Sequence, residues 1–245
     1  MIPTDKKIQY DQNTEASLPR KISIFATGVL ILLMSLVSLT SHAQTSKMYG
    51  EVAVMSNFVE KGLSQSNKGP AVDAGLGYWF GTQGRIGISA DSVKYPNDGA
   101  NVRLAGFGEY KFIFSPTSDL RVRNDLLQYY SEGLRNGTII TLDQNFSGYH
   151  VIISREDNFE GTKTQRNWFG MAKDWPYGTS YQINLTAGYS MVDAALYNSF
   201  FDTRLGFSYV TSSLTVSLIN TWVSSPAQFD GIADTSFFLV LAAKF

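Results

Sequence analysis

His150 and Ser154 are the pair in this sequence closest to covalent chemistry. A serine hydroxyl becomes a nucleophile when an imidazole takes its proton and a carboxylate orients the ring, and Asp143 or Glu156 offers that carboxylate nearby in the chain. The spacing argues against such a site. Hydropathy around these residues alternates as in a strand, and strand residues four apart share a face but lie about 13 Å apart, beyond a direct hydrogen bond. A neighbouring strand would have to supply the serine, and no sequence feature selects one. His150 is therefore expected to be a polar strand residue, and the chain is expected not to be an enzyme. Metal chemistry is no better served, because the sequence has no Cys pair and no His cluster. Asp230-Gly231-Ile232-Ala233-Asp234 reads as an acidic turn. Gly75, Gly77, Gly106 and Gly108 alternate within strands, and no helix follows to complete a phosphate cradle. They are expected to relieve crowding in a narrow lumen or to permit curvature. No metal and no cofactor is implied.

More informative are charges set inside apolar segments. Asp73, Arg85, Asp91, Arg103, Glu109, Arg121, Arg123, Asp125, Asp202 and Arg204 all fall within stretches of alternating hydropathy, as do Lys111, Asp143 and Arg166. In a soluble sandwich they would face water and leave the opposite parity to fill a core. In a closed barrel they face a lumen and pair across it, so no isolated charge is buried, while the other parity meets lipid. The first ten are the expected lumen lining.

The elements that must hold them follow a period of two. Val72, Ala74, Leu76, Tyr78 and Phe80 share one parity against Asp73, Gly75, Gly77 and Trp79, and the same alternation runs through residues 181–189 and 203–209. Turn residues divide the chain into about a dozen candidate strands: 48–58, 70–80, 84–93, 101–114, 119–130, 137–146, 149–157, 165–175, 180–190, 197–210, 213–223 and 235–245. Connections alternate between tight (81–83, 115–118, 211–213) and longer ones rich in Gly, Asn, Asp, Pro or Ser (60–69, 94–100, 131–137, 224–234). The predicted fold is all-β: a transmembrane antiparallel up-and-down barrel with short turns at one rim, longer loops at the other, and both chain ends at the short-turn rim.

Tyr78, Trp79, Tyr110, Tyr129, Tyr130, Trp168, Trp175, Tyr181, Tyr189, Tyr209 and Trp222 sit near predicted strand ends and are expected to form aromatic girdles at the interfaces. The last segment, from Phe237 to Phe245, has apolar residues at every odd position and an aromatic terminus, suited to pair with the first strand and remove the exposed edge.

Upstream, Lys6, Lys7, Arg20 and Lys21 precede the apolar run from Ile22 to Val37, and Ser41-His42-Ala43 places small residues at a cleavage point. Residues 1–43 are read as a signal peptide with an extended leader and 44–245 as the barrel domain. Lys and Arg number 20 against 21 Asp and Glu, a net charge of -1, so there is no basic footprint for nucleic acid. An outer-membrane location is expected.

One segment carries a family likeness. Ser56-Asn57-Phe58-Val59-Glu60-Lys61-Gly62-Leu63-Ser64-Gln65-Ser66, then Pro70-Ala71, resembles the opening signature of the Gcw-chp family of conserved hypothetical proteobacterial envelope proteins. That pattern runs Ser-Asp-Tyr-x-Phe-Arg-Gly-x-Ser-Gln-Ser, with Pro-Ala a few residues later. Asn57, Phe58 and Lys61 stand for the pattern's Asp, Tyr and Arg, and Glu60 stands where an aromatic is common. The resemblance implies a porin-like barrel and carries no catalytic residue. Physically, the segment reads as a loop in which Gly62 and Gly69 permit tight turns, Ser64, Gln65 and Ser66 bond across the mouth, and Pro70 starts the next strand.

The function expected is a narrow, weakly selective pore for small polar solutes, its inward arginines and carboxylates offsetting one another. The alternative is a closed structural or adhesive barrel that binds envelope or surface partners through its longer loops. Outer-membrane lipid, lipopolysaccharide and the barrel-assembly machinery are the expected partners.

Overall fold

The computed structural model describes residues 47–96, 99–130, 135–192 and 197–245. The signal peptide expected over 1–43 lies outside them. Strands β1 (Lys47–Met55), β4 (Ala71–Phe80), β5 (Gly84–Ser92), β6 (Val102–Ser115), β7 (Ser118–Tyr130), β8 (Gly137–Phe146), β9 (Tyr149–Glu156), β10 (Arg166–Tyr177), β11 (Tyr181–Val192), β12 (Phe200–Val210), β13 (Leu214–Val223) and β14 (Ser236–Lys244) form one closed barrel, each antiparallel to its neighbours. Two short strands, β2 (Val59–Glu60) and β3 (Leu63–Ser64), make a separate hairpin between β1 and β4. The barrel strands agree with the sequence-derived segments to within three residues at either end.

Closure removes the edge that lipid would not tolerate. β14 pairs with β1 from Glu51↔Lys244 to Met55↔Val240. Phe245 extends the seam: its N–H donates to the Gly50 carbonyl at 3.0 Å, and the Gly50 N–H donates to the Phe245 carbonyl at 2.8 Å. The Phe245 ring lies across Gly50, where a Cβ would meet it at 2.3 Å.

Alternation sorts the two faces. Val52, Val72, Leu76, Ile88, Leu104, Leu142, Ile153, Leu205, Leu218 and Leu241 are exposed on the outside as a lipid-facing surface. Asp91, Arg103, Asp119, Ser154, Arg166, Asp202 and Thr221 are buried on the inside. The girdle expectation is corrected at three positions. Trp79, Tyr129 and Trp168 have inward parity: Trp79 lies beside Tyr49 at 6.1 Å between ring centroids, and Tyr129 and Trp168 are buried. Parity, not nearness to a strand end, decides which side an aromatic serves.

The strand glycines also divide. Gly77 faces inward, and a Cβ there would meet the Tyr49 ring at 2.4 Å, so it does relieve crowding. Gly106 and Gly108 have outward parity with open space around them, so lumen crowding does not explain them.

Candidate functional site: a lumen crossed by its first loop

The segment between β1 and β4 does not arch over the rim as an ordinary loop. It folds into the barrel, because its own residues make a compact hairpin with apolar anchors. Glu60 pairs with Leu63 across a two-residue turn, and Lys61 and Gly62 both have positive φ, 46° and 81°, as a type I′ turn requires. Gly62 has a second reason to lack a side chain: a Cβ there would lie 2.6 Å from Val223 and 2.8 Å from Asp202.

Asn57 organises the hairpin base. Its Oδ1 accepts from the Ser64 hydroxyl at 2.6 Å, Ser64 Oγ accepts from the Lys68 N–H at 2.7 Å, and the Ser66 hydroxyl donates to the Gly69 carbonyl at 2.6 Å. Gln65 accepts the Tyr95 hydroxyl at 2.5 Å. Ser56 instead bonds back to β14, accepting from the Leu239 N–H at 3.0 Å. Leu63 is fully buried among Phe159, Phe200, Val223, Phe229, Ile232 and Ala233, and Phe58 packs between two further apolar clusters. Pro70 precedes β4, where its missing N–H costs no ladder bond.

The hairpin tip meets the wall through charge. Arg103 donates to Glu60 at 2.7 Å and to Asp91 at 2.8 Å, and its guanidinium lies 5.0 Å from the Phe58 ring centroid. Burial pushes the Glu60 carboxyl up, but Arg103, Lys61 and Arg166 outweigh it and hold it at about 2. Lys61 donates to Ser154 at 2.7 Å and lies 5.9 Å from the Trp168 ring centroid. Burial and the nearby Arg166 bring its ammonium down to about 8, against the pull of Glu60, Glu156 and Asp202.

Below the hairpin lies a chamber of about 460 Å³, lined by Phe58, Glu60, Lys61, Asp73, Ser89, Asp91, Arg103, Arg123, Trp168, Thr186, Asp202, Arg204 and Thr221 among others. Towards the loops the remaining space is about 10 Å³, among Glu60, Gln65, Arg103, Tyr129, Arg135, Glu160 and Arg166. That is room for about one water.

Of the ten expected lumen residues, Asp73, Asp91, Arg103, Arg123, Asp202 and Arg204 line the chamber. Arg85, Glu109 and Arg121 stand on the same inner face nearer the short turns, and Asp125 lies two residues towards the loops from Arg123. Their pairing differs from the expectation. The ions pair along the wall, not across it: Arg85 grips Glu109 with two bonds, 2.9 and 2.7 Å, Arg123 meets Asp125 at 2.6 Å, and Arg121 meets Asp119 at 3.2 Å. Adjacent strands are about 5 Å apart, well within side-chain reach. Among the described ion pairs of these ten residues, Arg103–Glu60 alone takes its partner from the hairpin. Asp202 accepts from the Trp168 indole at 2.8 Å.

The serine-hydrolase arrangement is split. His150 contacts Asp143 at 2.8 Å, while Ser154 is buried beneath Lys61. Among the described residues no group of three or more His, Cys, Asp or Glu is placed to hold a metal. Sequence reasoning missed Glu60 and Trp168 as lumen residues. An alternation broken by Lys61-Gly62 was the available signal for the hairpin, and even parity within 166–174 was the signal for Trp168.

No family model matches the chain, and no curated protein matches it in sequence. Solved structures do match in fold. The KdgM porin superposes with a TM-score of 0.55 at 9% identity, over 80% of this chain and 98% of that one. The fold is that of the outer-membrane porins. The NanC porin gives 0.53 at 7% identity, over 81% and 99%. A KdgM porin in complex with disordered oligogalacturonate gives 0.52 at 9%, over 81% and 98%. With its lipid-facing exterior, this barrel belongs in the outer membrane of a Gram-negative cell.

Proposed function

We propose that the chain is a narrow, weakly selective pore for small polar solutes, with residues 56–70 as its constriction. The observation that carries this is the 460 Å³ chamber, whose lining sets Arg103, Arg123, Arg204 and Lys61 against Glu60, Asp73, Asp91 and Asp202. The open space between these charges sets the chamber apart from the loop end, where ion pairs and the cluster around Leu63 fill the bore. Mixed charge in a water-filled bore favours polar solutes and largely cancels preference for either ion sign. The likeness to the porin fold supports passage as the role, and the split of His150 from Ser154 supports a non-catalytic lumen. The match of residues 56–71 to the Gcw-chp signature supports membership of that family, since its Ser, Gln and Gly positions fall on the hairpin. Outer-membrane lipid and the barrel-assembly machinery complete the reading, with the strand ending at Phe245 as the closing element.

A second reading has its own support. The 10 Å³ left above the hairpin favours a closed structural or adhesive barrel. Single-channel recording of refolded protein in a planar bilayer separates the two, with an Arg121→Ala/Arg123→Ala variant alongside. Steps whose size or selectivity changes in the variant support the pore; folded protein that gives no steps supports the closed barrel.

A further inference from the structure

We infer that the outer face of β9–β13 is a binding site for a phosphorylated, acylated lipid of the outer leaflet, of the lipid A class. One row of lipid-facing residues crosses this wall in register: Met171 opposite Ala187, Ala187 opposite Thr203, Thr203 opposite Trp222. Two small side chains between two large ones leave a depression. It is part of an outward groove of about 640 Å³, walled also by Phe169 and Phe201. An apolar groove of this kind suits an acyl chain, held there by close van der Waals packing and not by any hydrophobic drive, since its surroundings are already lipid.

Charge identifies the headgroup. Among the described barrel strands only Arg155 and Lys173 carry charge at lipid-facing positions, and both lie on the β9–β10 pair that forms one side of the groove. Lys173 is already occupied at the short-turn rim, donating to the Ser147 carbonyl at 2.9 Å and lying over the Tyr149 ring. Arg155 stands at the long-loop rim, which faces the outer leaflet. It is exposed, gives one bond at 2.6 Å to the neutral Gln165, and has no carboxylate partner among the described residues. Val151, opposite Met171, is four residues below Arg155, so the depression lies about 13 Å deeper along the strand. A phosphate held by the guanidinium therefore lets its own acyl chain descend past Ile153 and Phe169 into the groove.

The test is native mass spectrometry of the barrel purified in mild detergent, reloaded with purified lipid A, for wild type, Arg155→Ala, Ala187→Trp and the loop control Lys68→Ala. Heat-modifiable gel migration verifies that each is folded. One lipid A retained per barrel in wild type and in Lys68→Ala is expected, with retention about fivefold weaker without the arginine and comparably weak once the depression is filled. Equal retention in all four proteins overturns the inference. So does equal competition by phosphatidylethanolamine, or a dimer that Ala187→Trp dissociates.

Discussion

The loop end and the turn end of this lumen use the same ionic side chains to different ends. At the loop end, Arg103 is 10% exposed, Asp91 is 5%, and the pair is completed by Glu60 from the hairpin and by the Phe58 ring. At the turn end, Arg123 is 34% exposed and Arg121 is 37%, and each is neutralised on its own strand. Dry surroundings make an ion pair structural, because removing one partner strands the other without water. Wet surroundings leave the pair worth little to stability and free to shape the field in the bore.

Removing the arginine from each region is the sharpest way to break that contrast. Arg103→Ala strips Asp91 of its cation and leaves Glu60 only Lys61 and Arg166, and is expected to destabilise the barrel by about 3–5 kcal/mol, read from the urea midpoint of heat-modifiable migration, and to free the hairpin, raising conductance. Leu63→Ala attacks the same end through packing and should cost about 2–3 kcal/mol on that scale, again with larger conductance steps. Arg85→Ala, whose partner Glu109 keeps Arg123 at 4.0 Å, should cost less, about 1 kcal/mol, while shifting the reversal potential towards cation preference through the lost positive charge. If Arg85→Ala proved as destabilising as Arg103→Ala, the division into dry and wet ends would fail.

Smaller effects refine the comparison. Lys61 titrates at about 8 in the fold against an ordinary 10.5, so between these values the unfolded chain binds more protons and stability rises with pH. Below about 8 the buried charge carries its full cost. Anion permeability relative to cation should fall about twofold as pH rises through 8, and Lys61→Met should abolish both dependences. Smallest of all, Lys68→Ala breaks an exposed 3.2 Å pair with Asp234 and should leave the urea midpoint unchanged.

Strand count, inward parity and closure by the last strand were legible because a membrane barrel imposes a period of two on every strand, and a single misplaced charge would meet lipid. Asp73, Arg85 and Arg204 could be sided from the sequence for that reason. The hairpin was not legible in the same way: Val59, Glu60, Leu63 and Ser64 are too few to show periodicity, and nothing local distinguishes a turn that hangs outside from one that enters the bore. Trp168 was misread because an aromatic near a strand end suits either an interface or a lumen.

What the sequence determined by itself is therefore the wall, since the alternation of side chains across a strand is a local property of the backbone. What tertiary structure decided is the filling. Whether Glu60 meets Arg103, whether Lys61 lies over Ser154, and whether Ala187 and Thr203 align into one depression depend on residues far apart in sequence, brought together only when the barrel closes and its register is set.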